Sequence, residues 1–423
     1  MDSEWALAVA RMAAEELEKA DPRRHRRNPK RGNDAAKLAS DKPCKRRCRA
    51  PTPAETLCKP VKSIDEIRCV PASLGAEVWP EILSVGCICA GLLTDHWAKP
   101  LFNHQTRIEW WCEIDKHAST FCKRSAPTAT AYQDVMKPEW IWGAKPVDLI
   151  SGGFPCQPFS DMGLHGGESD PRGVVIVAII MYMKRALPRV AILENVLGLM
   201  TKHTEFLLSV LTALRNITEP RTGERAYFTS FKILNSHEVG AVPQKRSRVY
   251  IVCIRRFGKK VPFEWPGPVA CPSLSSIFDR SPKLATYTAY PVPSKSKTAK
   301  TNVEIGLAKM LKKSEIENRP VQSYACIVDI CATCPAVCTD ALCTITRSRG
   351  YSLGYWSLQH GRQLTVPELL RLQGFEPEAM DWKGTTKNQM GAMIGNAFTR
   401  TVYARVHNAA VAASRSVSPR GGW

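Results

Sequence analysis

A cysteine held close to two prolines is the residue of this sequence best suited to covalent chemistry. Cys156 follows Pro155, and Pro158 comes two residues later, so restricted backbone angles stiffen the chain on both sides of the thiol. The mostly apolar run 147–150 predicts a short buried strand, and the pair Gly152–Gly153 permits a sharp turn where it ends. The segment is therefore either a stiff loop that presents a nucleophile or a proline-rich loop with a buried structural cysteine.

A carboxyl group at the end of a second buried strand could act as a general acid. Glu194 comes directly after the apolar run Arg189–Leu193. Partial desolvation in such a place favours the protonated form of a carboxyl group. A protonated carboxyl can donate a proton to a ring nitrogen of a substrate. The competing interpretation is a glutamate that caps a helix or forms an ion pair.

Three polar side chains alternate along a third segment. Gln244, Arg246 and Arg248 occupy every second position, and alternate side chains of an extended chain point the same way. Two guanidiniums on one face suit a phosphate and a carbonyl oxygen. A solvated basic edge of a sheet is the competing interpretation.

These residues must be positioned by the elements around them, which alternate between strands and helices from about residue 80. The predicted strand Glu81–Ile88 leads into Cys89, Ala90 and Gly91, and the predicted strand Ile108–Glu113 leads into Ile114. A third element ends near Asp134. Alternation of this kind predicts an α/β fold with a mostly parallel sheet and helices on both faces. Acidic residues after the second and third strands suit ribose hydroxyls and an adenine amino group.

The order of these motifs resembles that of the C5-cytosine-specific DNA methyltransferases. The run Gly152–Ser160 matches the family's Gly-Gly-Phe-Pro-Cys-Gln-x-Phe-Ser at every specified position, and Glu194–Val196 matches Glu-Asn-Val. The resemblance implies that Cys156 attacks C6 of a cytosine flipped out of the duplex while Glu194 assists at N3. An aromatic ring carbon needs such a nucleophile to become electron-rich enough to accept a methyl group. The segment with Gln244, Arg246 and Arg248 resembles the family's Gln-x-Arg-x-Arg and is implied to face the substrate.

The same resemblance implies S-adenosyl-L-methionine as cofactor and a Rossmann-like methyltransferase fold with a smaller target-recognition domain. The implied cofactor-binding residues are Cys89, Ala90, Gly91, Glu113, Ile114, Asp134, Phe154, Pro155 and Asn396. A glycine-rich segment that ends at Arg172 resembles the family's mobile loop over the substrate. No metal is implied.

The first cofactor loop departs from the family pattern. The family's Phe-x-Gly-x-Gly corresponds here to Cys89–Leu93, which keeps one glycine, Gly91. An alternative alignment gives Gly86 the role of the glycine. The departure weakens the expected cofactor affinity rather than changing the identity of the cofactor.

Towards the C-terminus, the spacing of apolar residues predicts a helix that begins near Pro367 and stops at Gly374. The run Met393–Phe398 predicts the opening of a C-terminal helix. Asn396 would then lie at the start of that helix as a cap, and the resemblance adds contact with the methionine part of the cofactor.

Composition divides the chain and indicates its partners. The boundaries are 1–75 for a basic, disordered tail, 76–260 for the catalytic domain, 261–343 for the target-recognition domain, 344–410 for the return to the catalytic domain, and 411–423 for a C-terminal tail. A formal charge of +20 favours a polyanionic partner, here double-stranded DNA. Basic clusters at 23–27 and 45–47 resemble a nuclear-import signal or a nonspecific nucleic-acid arm, and a bacterial cytoplasm stays open. We expect a monomer with no obligatory protein partner and no membrane span.

Sixteen unevenly spaced cysteines favour a reducing compartment over a secreted disulfide framework. Cys326, Cys331, Cys334 and Cys338 have spacing that could hold zinc, although buried or reduced thiols fit that loose pattern better. Two other functions stay open. One is an RNA (tRNA) cytosine-5 methyltransferase on the same fold, and the other is a noncatalytic DNA-binding relative.

Overall fold

A computed structural model describes residues 79–154, 175–279, 293, 296–320 and 323–418 of the chain. The basic tail 1–75, Pro155, Cys156 and Arg172 lie outside the described residues, as do residues 419–423. The predictions made for those residues keep that status.

A seven-stranded sheet forms the centre of the molecule. Its strand order is β3-β2-β1-β4-β5-β8-β6. The first five strands are parallel, and β8 runs antiparallel to both β5 and β6. Its strands are β1 (Ile82–Ile88), β2 (Gln105–Cys112), β3 (Thr130–Tyr132), β4 (Leu149–Gly153), β5 (Val190–Val196), β6 (Tyr227–Asn235) and β8 (Ser247–Arg255), while the short strand β7 (Gln244–Lys245) lies outside this sheet. The predicted α/β fold with a mostly parallel sheet is confirmed.

Helices cover both faces of this sheet. They are α1 (Thr94–Ala98), α2 (Lys116–Ser125), α3 (Pro138–Gly143), α4 (Val175–Ala186), α5 (Gly198–Thr201), α6 (Thr204–Arg215) and α7 (Ser236–Val239), followed by α8 (Lys297–Glu317), α9 (Arg347–Ser352), α10 (Val366–Leu372), α11 (Lys387–Asn396) and α12 (Arg400–Val417). Of these, α8 packs instead on a second, smaller sheet. Among the described residues, no helix is both long enough and apolar enough to cross a bilayer.

Strand β5 shows why the sheet has two cores. Ala191 and Leu193 pack into the core beneath α4 and α6, whereas Val190 and Ile192 pack into the core beneath α12. Successive side chains of a strand point to opposite faces, so a strand covered on both sides is apolar throughout. The same alternation places Glu194 on the α12 face of the sheet.

A second, four-stranded sheet follows α8, in the order β10-β9-β12-β13. Its strands are β9 (Ile327–Asp329), β10 (Val337–Cys338), β12 (Tyr355–Ser357) and β13 (Arg362–Gln363). It therefore draws strands from both sides of the predicted boundary at residue 343. The remaining strand, β11 (Leu342–Cys343), pairs in parallel with β7 and forms a separate two-stranded sheet with it.

Helices α9 and α11 approach each other closely where both carry glycine. A methyl group in place of a Gly350 hydrogen would lie 2.0 Å from the Gly391 carbonyl oxygen. Glycine therefore allows the two backbones to approach.

The C-terminal helices differ from the prediction. α10 agrees with it, with Thr365 and Glu368 forming a capping box at its start. Asn396, however, is the last residue of α11 and not the first residue of the final helix, which begins after Thr399. The interpretation of Asn396 as an N-cap is wrong, because the apolar run at 393–398 spans the end of one helix and the connection to the next.

Candidate functional site

The carboxyl end of β4, which precedes Cys156 in the sequence, lies next to the predicted acid Glu194. Gly153 pairs in register with Glu194 on β5, three residues before Cys156. A methyl group in place of a Gly153 hydrogen would lie 3.5 Å from Glu194 Oε2 and 3.0 Å from Phe398 Cε1. Glycine therefore lets Phe398 and the Glu194 carboxyl lie against the backbone of β4.

Glu194 lies in a nearly dry environment. Its residue exposure is 7%, and its Oε1 lies 3.2 Å from Nε of Arg248. Burial raises the pKa of Glu194, and the positive charges of Arg248 and Arg246 offset part of that rise. A carboxyl group whose pKa is raised holds its proton to higher pH, as a general acid requires.

Arg248 thus faces the acid, but the two other members of its segment do not share an open surface with it. Gln244 is 0% exposed and Arg246 is 2% exposed. Gln244 Nε2 donates to the carbonyl oxygen of Leu372 at 2.7 Å, and Gln244 Oε1 accepts from the amide of Ile345 at 3.2 Å. Gln244 is therefore committed to backbone contacts inside the protein.

The guanidinium of Arg246 is committed in the same way. It donates to the carbonyl oxygen of Ile345 at 2.8 Å, to that of Gly395 at 3.2 and 3.3 Å, and to that of Ala397 at 2.8 Å. The polar groups of Gln244 and Arg246 thus face the protein interior, whereas the prediction was that they face the substrate. The backbone groups that bind them lie 99 to 151 residues later in the chain.

Asn396 lies between two of the carbonyl groups that Arg246 binds, and its side chain is exposed. The backbone on either side of Asn396 is thereby held in place while its amide side chain faces outward. An exposed amide on a fixed backbone suits contact with a polar ligand, although the residue ends a helix.

The predicted cofactor loop adopts left-handed backbone conformations at three alternate residues. The φ angles are 50° at Cys89, 52° at Gly91 and 53° at Leu93. Of these, Gly91 adopts such a conformation without steric cost, whereas a residue with a Cβ atom is strained there. Leu93, which stands where the family pattern has its second glycine, adopts this conformation despite its Cβ atom.

Hydrogen bonds to the end of β2 hold this loop. The amide of Ala90 donates to the carbonyl oxygen of Cys112 at 3.0 Å, and the amide of Gly91 donates to Glu113 Oε2 at 2.7 Å. Glu113 Oε1 accepts from the amide of Asp115 at 2.8 Å. Burial raises the pKa of Glu113, and the backbone donors oppose that rise. Each carboxylate oxygen has a further lone pair that could accept from a ligand hydroxyl.

The other predicted cofactor residues lie around this loop. Ile114 is 75% exposed, a large value for an apolar side chain directly after a buried strand. The half-buried Asp134 accepts from the amide of Met136 at 2.9 Å. The burial of Cys89 raises the pKa of its thiol, and Glu113 and Asp134 raise it further, which places all three near one another. Phe154, in contrast, is buried in the core beneath α4 and is committed to packing there.

The left-handed conformation of Leu93 predicts that a glycine variant at this position is more stable than an alanine variant. Leu93→Ala is expected to lower the free energy of unfolding by about 2–5 kcal/mol, because Leu93 is fully buried. Leu93→Gly loses the same packing but relieves the left-handed strain, so it is expected to be about 1 kcal/mol more stable than Leu93→Ala. Denaturant unfolding measures both values. At Leu83, a buried residue of β1 without a positive φ, glycine should be less stable than alanine; the same order at both positions would contradict the prediction.

The four cysteines that were considered as zinc ligands differ in solvent exposure. Cys326 is buried, Cys331 and Cys334 are exposed, and Cys338 is half-buried and hydrogen-bonded to Cys343. Within the part of the chain that the structure describes, no group of three or more His, Cys, Asp or Glu side chains is arranged to hold a metal ion. The zinc hypothesis gains no geometric support.

Sequence reasoning did not single out Phe398 or Asp95 as part of this region. Phe398 lies against Gly153, and buried Asp95 accepts a hydrogen bond from Ser151 of β4. The available signals were two consecutive glycines at the end of a strand and an aspartate just after the cofactor loop. Neither signal identifies its partner, which comes from a distant part of the chain.

Comparison with known proteins gives a family match over most of the chain. The protein-family model described as C-5 cytosine-specific DNA methylase matches residues 96–411. The match therefore begins after the altered cofactor loop. The Type II methyltransferase M.HaeII of Haemophilus aegyptius is 28% identical over 230 residues, covering 54% of this chain and 63% of the relative. The Type II methyltransferase M.AquIA of a Picosynechococcus strain is 36% identical over 128 residues, covering 30% of this chain and 50% of the relative. The chain thus spans about half to two thirds of these relatives.

Solved structures share the fold at low identity. The crystal structure of S. pombe Dnmt2 methyltransferase has a TM-score of 0.51 and 17% identity, covering 78% of this chain and 98% of that one. The Entamoeba histolytica methyltransferase EhMeth has a TM-score of 0.53 and 15% identity, covering 79% and 99%. These likenesses establish a Rossmann-like methyltransferase fold.

Proposed function

Because the chain belongs to the C-5 cytosine-specific DNA methylase family, we propose that it transfers a methyl group from S-adenosyl-L-methionine to C5 of cytosine in double-stranded DNA. One observation carries the proposal within the described residues. The buried carboxyl of Glu194, with its raised pKa, lies beside the strand end that leads to Cys156. An acid and a thiol that converge at the carboxyl ends of parallel strands suit addition to a pyrimidine ring.

The residues around the first loop fit the proposed cofactor. Glu113 would accept the ribose hydroxyls, and the exposed Ile114 would cover an apolar face of the adenine ring. Asp134 would accept from the adenine amino group, while Asn396 would contact the methionine part. S-adenosylmethionine supplies an electrophilic methyl group when it is bound there.

The chain's own residues then carry the remaining steps. The Cys156 thiolate forms a bond to C6 of the cytosine, while Glu194 donates its proton to N3 and thereby draws electron density from the ring. Arg248 stabilises the carboxylate that Glu194 becomes, because its Nε lies 3.2 Å from Oε1. After C5 is methylated, a base removes the C5 proton, the electron pair released expels the Cys156 thiolate from C6, and N3 returns its proton to the Glu194 carboxylate.

Substrate access and partners follow from the same assignment. A cytosine inside a duplex is out of reach of the site, so it must be flipped out at a cost of a few kcal/mol. The net charge of +20 supports binding to the phosphate backbone. We propose that the chain acts as a monomer and that the small sheet with α8 belongs to the target-recognition domain, which would then extend past residue 343. Nuclear import through the basic clusters stays a prediction.

Incubation of the pure protein with unmethylated duplex DNA and S-adenosylmethionine, followed by bisulfite sequencing, tests the proposed function. We expect protected cytosines in a defined sequence context. Transfer RNA in a parallel incubation should stay unmodified; preferential modification of the RNA would replace DNA as the substrate. Calorimetric measurement of S-adenosylmethionine binding tests the alternative of a noncatalytic DNA-binding protein. DNA binding without any cofactor binding would contradict the proposal.

A further inference from the structure

A buried carboxyl group joins the cofactor loop region, β4 and the last helix. Asp95 lies in α1, just after the loop, and is 4% exposed. Its Oδ2 accepts from Ser151 Oγ at 2.5 Å, and its Oδ1 accepts from the Tyr403 hydroxyl. Three segments that are distant in sequence therefore meet at one side chain.

The network continues away from the site through α12. The Tyr403 hydroxyl is hydrogen-bonded to His407 Nδ1 at 3.2 Å, and His407 Nε2 to His104 Nε2 at 2.9 Å. Its inner end is Ser151, which lies two residues before Gly153 and on the same face of the sheet. Gly153 in turn faces Glu194. A single hydrogen bond thus links the Asp95 carboxyl to β4, whose carboxyl end lies beside Glu194.

A buried, hydrogen-bonded carboxyl group such as that of Asp95 contributes more to the relative placement of its partners than to the free energy of unfolding. Burial of a carboxyl group costs several kcal/mol, which hydrogen bonds and packing only partly offset. Apolar packing is tolerant of direction, whereas a hydrogen bond of 2.5 Å sets both distance and angle. The Ser151–Asp95 bond therefore limits how far the carboxyl end of β4 can shift relative to α1.

We propose that Asp95 is a positioning residue for methyl transfer. By accepting the Ser151 hydroxyl, it holds the carboxyl end of β4, and with it the start of the segment that leads to Cys156, opposite Glu194. This inference rests on the proposed function, because the reacting groups that it aligns are those assigned above.

The chain offers a matched control at the opposite end of the same strand. Ser84 Oγ donates to Asp148 Oδ2 at 2.6 Å, and Asp148 directly precedes β4. This bond also joins a serine hydroxyl to an aspartate, but it is partly buried, Asp148 also pairs with Arg189, and it ties the amino end of β4, away from Glu194. Loss of either bond should lower stability, but loss of the bond at the carboxyl end alone should affect the reaction.

The test compares single-turnover methylation by Ser151→Ala, Asp95→Ala, their double variant and Ser84→Ala. We expect the rate constant to fall about 10- to 100-fold in the first two, with little change in the KM for DNA or for cofactor. The double variant should be no slower than Asp95→Ala, since that single variant already lacks the Ser151–Asp95 bond. Ser84→Ala should keep the wild-type rate constant. Amide hydrogen exchange at 152–154 should be faster in Ser151→Ala and unchanged in Ser84→Ala.

An unchanged rate constant in Ser151→Ala, or equal losses in Ser151→Ala and Ser84→Ala, would overturn the inference. A Ser151→Ala protein that does not fold would also overturn it, since the bond would then serve stability. If Asp95→Ala alone fails to fold, Ser151→Ala still decides. An inactive wild-type protein would contradict the proposed function instead, while the exchange rates would still show whether Asp95 holds the end of β4.

Discussion

Replacement of Cys156 by serine is expected to abolish methyl transfer, a loss of roughly 10⁴-fold or more on the scale found when other enzymes lose their nucleophile. A serine hydroxyl is not ionised near neutral pH, so without an adjacent base it does not add to C6 of a pyrimidine. The dissociation constant for S-adenosylmethionine should change little, since the cofactor residues proposed around Glu113 and Asn396 are untouched. Radiolabelled methyl transfer and calorimetric binding measure the two quantities.

A second cysteine controls for general effects of the substitution. Cys271 is half-buried, and its thiol donates to the carbonyl oxygen of Pro272, so Cys271→Ser should keep full activity. Duplex DNA that contains 5-fluorocytosine should trap the wild-type protein as a covalent adduct, because fluorine at C5 cannot leave as a proton. Cys156→Ser should form no adduct. Methyl transfer by Cys156→Ser at a rate close to wild type would refute the assigned nucleophile.

Replacement of Glu194 by glutamine is expected to lower the rate constant of methyl transfer by roughly 10²- to 10⁴-fold. The amide keeps the size of the side chain but has no acidic proton for N3, and it leaves the Arg248 guanidinium without its carboxylate partner. Trapping by 5-fluorocytosine DNA should slow by a similar factor, because the proton assists the addition of Cys156 itself.

Glu219 offers a matched control for the loss of a partly buried ion pair. It binds Arg255 through two contacts of 2.6 and 2.7 Å at the far end of β8, so Glu219→Gln should destabilise the fold without slowing the reaction. Equal rate losses in Glu194→Gln and Glu219→Gln would mean that Glu194 is structural.

The raised pKa of Glu194 also gives a pH dependence with a definite sign. The folded protein holds the proton at pH values where the unfolded chain has lost it, so stability falls as pH rises from the unfolded pKa through the folded pKa. The rate of methyl transfer should fall over the same range once the acid ionises. In Glu194→Gln this loss of stability should be absent, which unfolding measurements across that pH range can check.

Much of the site could be predicted from local sequence because its signals are local. The alternation of strands and helices predicted the fold class, and apolar runs placed Gly153 and Glu194 at the ends of two strands, which the structure then shows to be neighbours. Glu113 and Asp134 follow β2 and β3 as predicted. Each of these inferences depends on side-chain periodicity and on the rule that parallel strands end at one edge of a sheet.

The tertiary structure decided what covers each side chain. Period-two alternation predicted that Arg246 shares an open face with Arg248, but the Arg246 guanidinium donates to the backbone of Ile345, Gly395 and Ala397 inside the protein. Contact with a segment a hundred or more residues away cannot be read from the spacing of neighbours. Asn396 changed from the predicted start of one helix to the observed end of another for a related reason, since an apolar run does not show which of two helices it belongs to.

The first cofactor loop shows the same division between local and distant causes. The sequence alone determined that Cys89–Leu93 lacks a glycine of the family pattern. The structure decided that Leu93 nevertheless takes the left-handed conformation, because burial of its side chain against the core beneath α12 outweighs a strain of about 1–2 kcal/mol. The Ser151–Asp95 bond likewise joins residues 56 apart in the chain. Residue chemistry was determined by the sequence, whereas the partners of each residue depended on packing between distant segments.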